Sequence, residues 1–147
     1  MQLVSLAAPE LKASLEQCGL SGSVASAVLE QGPFANDDEL CSAVDSVMLG
    51  LDDEALRTLL EAVPPPAVER GHPDAWDAAL LAIRLYRDRF GFPFVSAIAT
   101  PTAEELLMRV RIRLGNDPEP EGRAAREHLR RLVRRRLQDL QETDAGG

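Results

Sequence analysis

Apolar residues recur three or four positions apart through almost the whole chain, and alternation with period two is nearly absent. That spacing lines side chains along one face of an α-helix, so the sequence predicts an all-α fold. Seven or so helices fit within 147 residues. The first two are short, over Pro9 to Cys18 and Ser23 to Gln31. Asn36, followed by Asp37, Asp38 and Glu39, caps and charges the start of a helix that ends at Gly50. Asp52 opens the next, and Pro64-Pro65-Pro66 must break it, because proline in a helix interior costs about 3 kcal/mol. Pro73 suits a first helical turn and begins a long helix to about Phe90. Thr102 with Glu105 forms a capping-box pattern before a helix through Leu114, with Thr100-Pro101 an equally acceptable start. Asn116 to Glu121 reads as a turn, and the last helix runs from about Gly122 to Gln141.

Between the long helix and Thr102 lies Gly91-Phe92-Pro93-Phe94-Val95-Ser96-Ala97, too apolar for a surface loop and too interrupted by proline for a helix. We read it, near residues 92–98, as buried extended chain. Residues 1–147 are expected to form one domain, with a disordered tail from Thr143 to Gly147. No apolar run approaches the roughly 18 to 20 residues that span a bilayer, and the start, Met1-Gln2-Leu3-Val4, has no basic leader region. Two cysteines, Cys18 and Cys41, are too few for a disulfide framework, so a soluble, cytoplasmic protein is the default expectation.

The net charge of -8 argues against a nucleic-acid partner, but charge is unevenly spread. The last helix holds seven arginines, at 123, 126, 130, 131, 134, 135 and 136. At about 100° per residue, Ala125, Leu129, Leu132, Val133, Leu137 and Leu140 make one stripe, and Arg136 falls inside it. The other six fan over the remaining surface, where solvation or pairing with acidic neighbours accounts for them. An inward arginine needs a partner, since burying an unpaired charge is costly; a ligand carboxylate or an internal salt bridge would serve. In the long helix, His72, Ala75, Trp76, Ala79, Ile83, Tyr86 and Phe90 share a face, and Leu81 and Leu85 lie opposite, as in a central helix or a dimer contact. His72 heads that stripe and could act as general acid or base near neutral pH, or simply mark the helix entry. His128 falls off the stripe of its helix. The extended segment carries backbone groups that no helix consumes, which a planar ligand, water or neighbouring loops would have to pair. No cluster has metal-ligand spacing, and no phosphate-binding glycine loop or nucleophile elbow occurs.

Tyr86-Arg87-Asp88-Arg89-Phe90-Gly91-Phe92-Pro93-Phe94-Val95, followed by Arg113-Leu114-Gly115-Asn116, resembles the Y-x-x-[RK]-F-G-F-x-F-[IV] and R-L-x-N signature of a family of small helical enzymes. These decarboxylate 2-oxo-4-hydroxy-4-carboxy-5-ureidoimidazoline (OHCU), the last step from urate to (S)-allantoin. The resemblance is specific from about Tyr86 to Leu137. Earlier echoes are Cys18-Gly19 and Gly32-Pro33-Phe34, although Val24 stands where the family has tryptophan. Val63 stands where the family keeps a histidine that acts on substrate, Glu69-Arg70-Gly71-His72-Pro73 where it keeps a glutamate–glutamine segment, and Ile83 where it keeps asparagine.

The resemblance implies a cofactor-free, metal-free carbon–carbon lyase, commonly a homodimer, acting on a small molecule. It implies that Arg136, of the Arg136-Leu137 pair, contacts substrate and that the backbone of Phe94, Val95, Ser96 and Ala97 holds the ureidoimidazoline ring. No cofactor is needed because the ring itself accepts the electrons left as carbon dioxide departs. With Val63 in the histidine position, His72 becomes the candidate for proton transfer, assisted by Glu69. Two other readings stay open: a ligand-binding homologue without turnover, or a relative recruited to another decarboxylation or isomerisation in a biosynthetic pathway.

Overall fold

A computed structural model of the chain describes residues 3–63, 72–97 and 101–146, with side chains through residue 142. Among these residues the fold is all-α, as the periodicity predicts. A 3-10 turn, Leu3–Ser5, precedes α1 (Ala8–Gln17), α2 (Gly22–Leu29), α3 (Asp37–Leu49), α4 (Asp53–Ala62), α5 (Pro73–Phe90), α6 (Ala103–Leu114) and α7 (Pro118–Gly146). None of these helices is long and apolar enough to cross a membrane.

The helix starts follow from side chains that satisfy otherwise unpaired first-turn N–H groups. Asn36 Oδ1 accepts from Glu39 N at 2.9 Å while Glu39 Oε2 accepts from Ala35 N at 2.8 Å, a variant of the capping box in which the return bond goes to the residue before the cap. Asp52 Oδ1 accepts from Ala55 N at 2.8 Å and Thr102 Oγ1 from Glu105 N at 3.1 Å. α4 ends just before the triple proline, which itself lies outside the described residues.

The last helix departs from expectation: it begins at Pro118, inside the stretch read as a turn, and its backbone continues past Gln141 to Gly146. Pro118 and Pro120 both fall in the first turn, where a missing N–H costs nothing and a fixed φ favours the helix. Glu121 N then donates to Asp117 O at 3.1 Å, so the prolines start this helix within the stretch that reads as a turn.

The chain divides into two compact units, one of Met1–Leu59 with Arg130–Gly147 and one of Leu60–Leu129. In the first, α1, α2 and α3 pack in succession over buried Leu15, Val28, Leu40, Val44 and Met48, and α7 adds buried Val133 and Leu137. Asp45 of α3 pairs with Arg130 and Arg134 of α7 at 3.3 and 3.4 Å, which is the local acidic pairing expected for the outer arginines. In the second unit α5 packs on α6 around Ala79, Ala82, Tyr86, Phe94, Leu106 and Val110. α5 buries this one side only: Leu81 and Leu85 are 56% and 50% exposed, so the two-sided burial of a central helix is not found among the described residues.

In the first unit Gly19 follows α1 at φ +106°, a region side chains rarely enter, and a Cβ there would sit 3.2 Å from Arg136 Nη1. Gly91, which caps α5 at φ +79°, has open space around it. Gly91→Ala therefore meets backbone strain alone, about 1–2 kcal/mol, and Gly19→Ala is expected to cost more because its φ lies further from the left-handed helical region near about +57°, Arg136 yielding by a small shift. Urea unfolding followed by far-ultraviolet circular dichroism measures both; a smaller loss for Gly19→Ala than for Gly91→Ala would refute this ranking.

Candidate active site

The extended segment leaves α5 at Gly91, whose left-handed conformation turns the chain and whose N–H bonds Arg87 O at 2.8 Å. Phe94 and Val95 are buried and Phe92, Pro93, Ser96 and Ala97 half-buried, and the stretch belongs to no helix. Residue 98 lies outside the described residues. Phe90, Phe92 and Phe94 surround the Tyr86 ring, with centroids at 4.7, 5.9 and 5.2 Å.

A buried ionic network fixes this aromatic cluster and the segment together. Glu121 of α7 is 0% exposed and Arg113 of α6 is 8% exposed. Arg113 Nε donates to Glu121 Oε2 at 2.7 Å, with Nη2 equally close to the same oxygen. Tyr86 donates its hydroxyl proton to that oxygen too, and Asn116 Nδ2 donates to Glu121 Oε1 at 3.0 Å. Arg113 Nη2 also donates to the Tyr86 hydroxyl at 3.2 Å. Arg113 Nη1 donates to Val95 O at 2.6 Å, and the guanidinium lies 4.4 Å over the Phe94 ring. All three guanidinium nitrogens are thus engaged inside the protein. Burial, then the Glu121 hydrogen bond, raises the Tyr86 pKa, with Arg113 opposing. Tyr86 therefore stays a protonated donor.

Two backbone groups of the segment are consumed by the protein: Val95 C=O by Arg113, and Ala97 N–H by His128 Nδ1 at 3.2 Å. The expectation that this backbone is open to a ligand therefore does not hold for Val95 C=O and Ala97 N–H. His72 lies in the same unit. It is the N-cap of α5, with its side chain 68% exposed, Nδ1 accepting from Asp74 N at 3.2 Å, and its own N–H donating to Glu104 Oε1 at 3.1 Å. The Glu104 carboxyl is held below its usual range by its own backbone N–H and by that of His72. No described hydrogen bond joins His72 to the segment, and Glu69 lies outside the described residues.

Arg136 belongs to the first unit. It is half-buried, its guanidinium beside Gly19, and among the described residues it has no hydrogen bond or ion pair. Burial pushes the neighbouring Cys18 thiol up to about 11, Arg136 drawing it down and Cys41 adding to the rise. Burial likewise raises Cys41. An open groove of about 570 Å³ along α3, lined by Phe34, Asp38, Ser42 and Ser46, holds none of the predicted site residues. No group of three histidines, cysteines or carboxylates is placed to hold a metal among the described residues.

Sequence reasoning missed Glu121 and His128. Glu121 was counted into a turn; the signal that finds it is the Asp-Pro-Glu-Pro start, which makes it a first-turn residue of α7 seven before His128, hence on the same face.

A family sequence profile described as OHCU decarboxylase matches residues 77–138. A 2-oxo-4-hydroxy-4-carboxy-5-ureidoimidazoline decarboxylase of Amia calva is 32% identical over 148 residues, covering 86% of this chain and 82% of that protein. A uric acid degradation bifunctional protein of Bacillus sp. (strain TB-90) is 31% identical over 67 residues, 46% of this chain and 13% of that protein. Among solved structures, an (S)-allantoin synthase superposes with a TM-score of 0.82 at 22% identity, covering 93% of this chain; the chain spans 52% of that one. An OHCU decarboxylase crystallised with (S)-allantoin gives a TM-score of 0.70 at 18% identity, covering 86% of this chain and 96% of that one. At these identities the two structures speak for the fold alone.

Proposed function

This chain belongs to the OHCU decarboxylase family, and we propose that it is itself a cofactor-free decarboxylase that converts OHCU to (S)-allantoin in urate catabolism. The reaction asks three things of a protein: to bind the carboxylate and carbonyls, to draw the carboxylate out of water as carbon dioxide leaves, and to deliver a proton to one face of the ring carbon.

The observation that carries the reading is Arg136, a half-buried guanidinium without an ion-pair partner among the described residues. A cation so placed favours an anionic ligand, and its planar fork matches a carboxylate. In this proposal Arg136 binds the substrate carboxylate, and the backbone of Phe94, Val95, Ser96 and Ala97, apart from the Val95 C=O and Ala97 N–H held by the protein, holds the ring. His72, with Glu69 near it in sequence, supplies the proton. Because Nδ1 of His72 accepts the Asp74 N–H, the neutral imidazole carries its hydrogen on Nε2, which is then the donor. Exposed Leu81 and Leu85 give α5 a face suited to a homodimer, which we include in the proposal together with a cytoplasmic location. A monomer at sedimentation equilibrium would remove the dimer.

OHCU decays spontaneously to racemic allantoin, so loss of substrate is an insufficient test. OHCU generated in place from urate with uricase and hydroxyisourate hydrolase, with circular dichroism of the allantoin formed, separates the cases. Addition of the protein is expected to produce an (S)-allantoin signal well above background. A racemic product at the spontaneous rate would refute the activity and favour a ligand-binding homologue, the reading that Val63 in the family's histidine position supports.

A further inference from the structure

We infer that His128 is a positioning residue for the extended segment, fixing its far end through the Ala97 N–H. This rests on the reading of Phe94 to Ala97 as substrate-holding backbone. Extended chain outside a sheet has no ladder to order it, and fixing each such residue costs about 1–2 kcal/mol. Here two side chains do that work. Arg113 Nη1 holds Val95 O at 2.6 Å and His128 Nδ1 holds Ala97 N at 3.2 Å, leaving Ser96 between two fixed points. Both supports depend on one face of α7: Glu121, which orients Arg113, and His128 are seven residues and about two turns apart. A ligand that uses backbone groups of this stretch binds them already ordered, which raises affinity without adding a contact.

The contact requires an acceptor at the position of Nδ1, which makes the assignment testable by geometry. In His128→Asn the Oδ1 atom occupies nearly the place of Nδ1 and can accept the Ala97 N–H, whereas His128→Ala removes the acceptor. In the 147-residue chain, His128→Ala is expected to raise KM about tenfold with kcat changed less than about threefold, the pattern of lost ground-state positioning. Exchange of the Ala97 amide, followed by NMR, is expected to quicken about tenfold in the same variant. His128→Asn is expected to restore both. An Ala97 exchange rate or a KM unmoved by His128→Ala overturns the inference. So does a kcat lost by both His128→Ala and His128→Asn, which would give the imidazole a role in proton transfer. Absence of (S)-allantoin formation by the wild-type chain would instead overturn the decarboxylase reading, while the Ala97 exchange rates would still decide whether His128 holds the segment.

Discussion

Glu121→Ala is expected to destabilise the second unit by about 3–5 kcal/mol, the cost of leaving a buried charge without its partner. Glu121 is wholly buried and takes four contacts: two from Arg113 and one each from Tyr86 and Asn116. Its loss strands a guanidinium that is itself 8% exposed and anchors Val95. Domains of this size are stable by about 5–15 kcal/mol, so the variant should sit near its unfolding threshold. Tyr86→Phe keeps the ring among Phe90, Phe92 and Phe94 and removes only the hydroxyl, for about 1–2 kcal/mol. Urea denaturation with unchanged slope gives both values. A Glu121→Ala protein less destabilised than Tyr86→Phe would show that the carboxylate does not organise this core.

The second large effect is on catalysis. Arg136→Ala is expected to lower kcat/KM for (S)-allantoin formation by roughly 10- to 100-fold, the value of a charge-assisted hydrogen bond to a substrate carboxylate, about 1.5–3 kcal/mol. Folding should change little, since no described ion pair is broken. Arg136→Lys should recover only part of the rate, because an ammonium lacks the planar fork. Stereospecific formation of allantoin by Arg136→Ala at the wild-type rate would remove Arg136 from the site.

The helices were legible because their signals are local. Asn36, Asp52, Thr102 and Pro73 announce starts that the backbone obeys, and the α5 stripe correctly placed Ala79 and Tyr86 inside. What was not legible depends on partners distant in sequence. His72 heads the α5 stripe in phase and stands at the helix entry, where Nδ1 caps and the ring meets water, one of the two readings its position allowed. Leu81 and Leu85 are apolar without being covered. Glu121 looks like any surface glutamate until Arg113 and Tyr86, 8 and 35 residues earlier, are brought to it. Tyr86, Arg113 and Asn116 are spent on a buried network, so those letters preserve the core, and Arg136, outside both signature motifs, bears the proposed carboxylate role.

The chain has one tyrosine and one tryptophan, and both, Tyr86 and Trp76, lie within residues 60–129. Near-ultraviolet absorbance and intrinsic fluorescence consequently watch the second unit and are blind to the first. Tyr86 is sealed among three phenylalanine rings with its proton held to Glu121, so tyrosinate absorbance in alkaline solution marks the opening of that core. Comparing this optical transition with the loss of helical ellipticity gives a label-free measure of whether the two units melt as one.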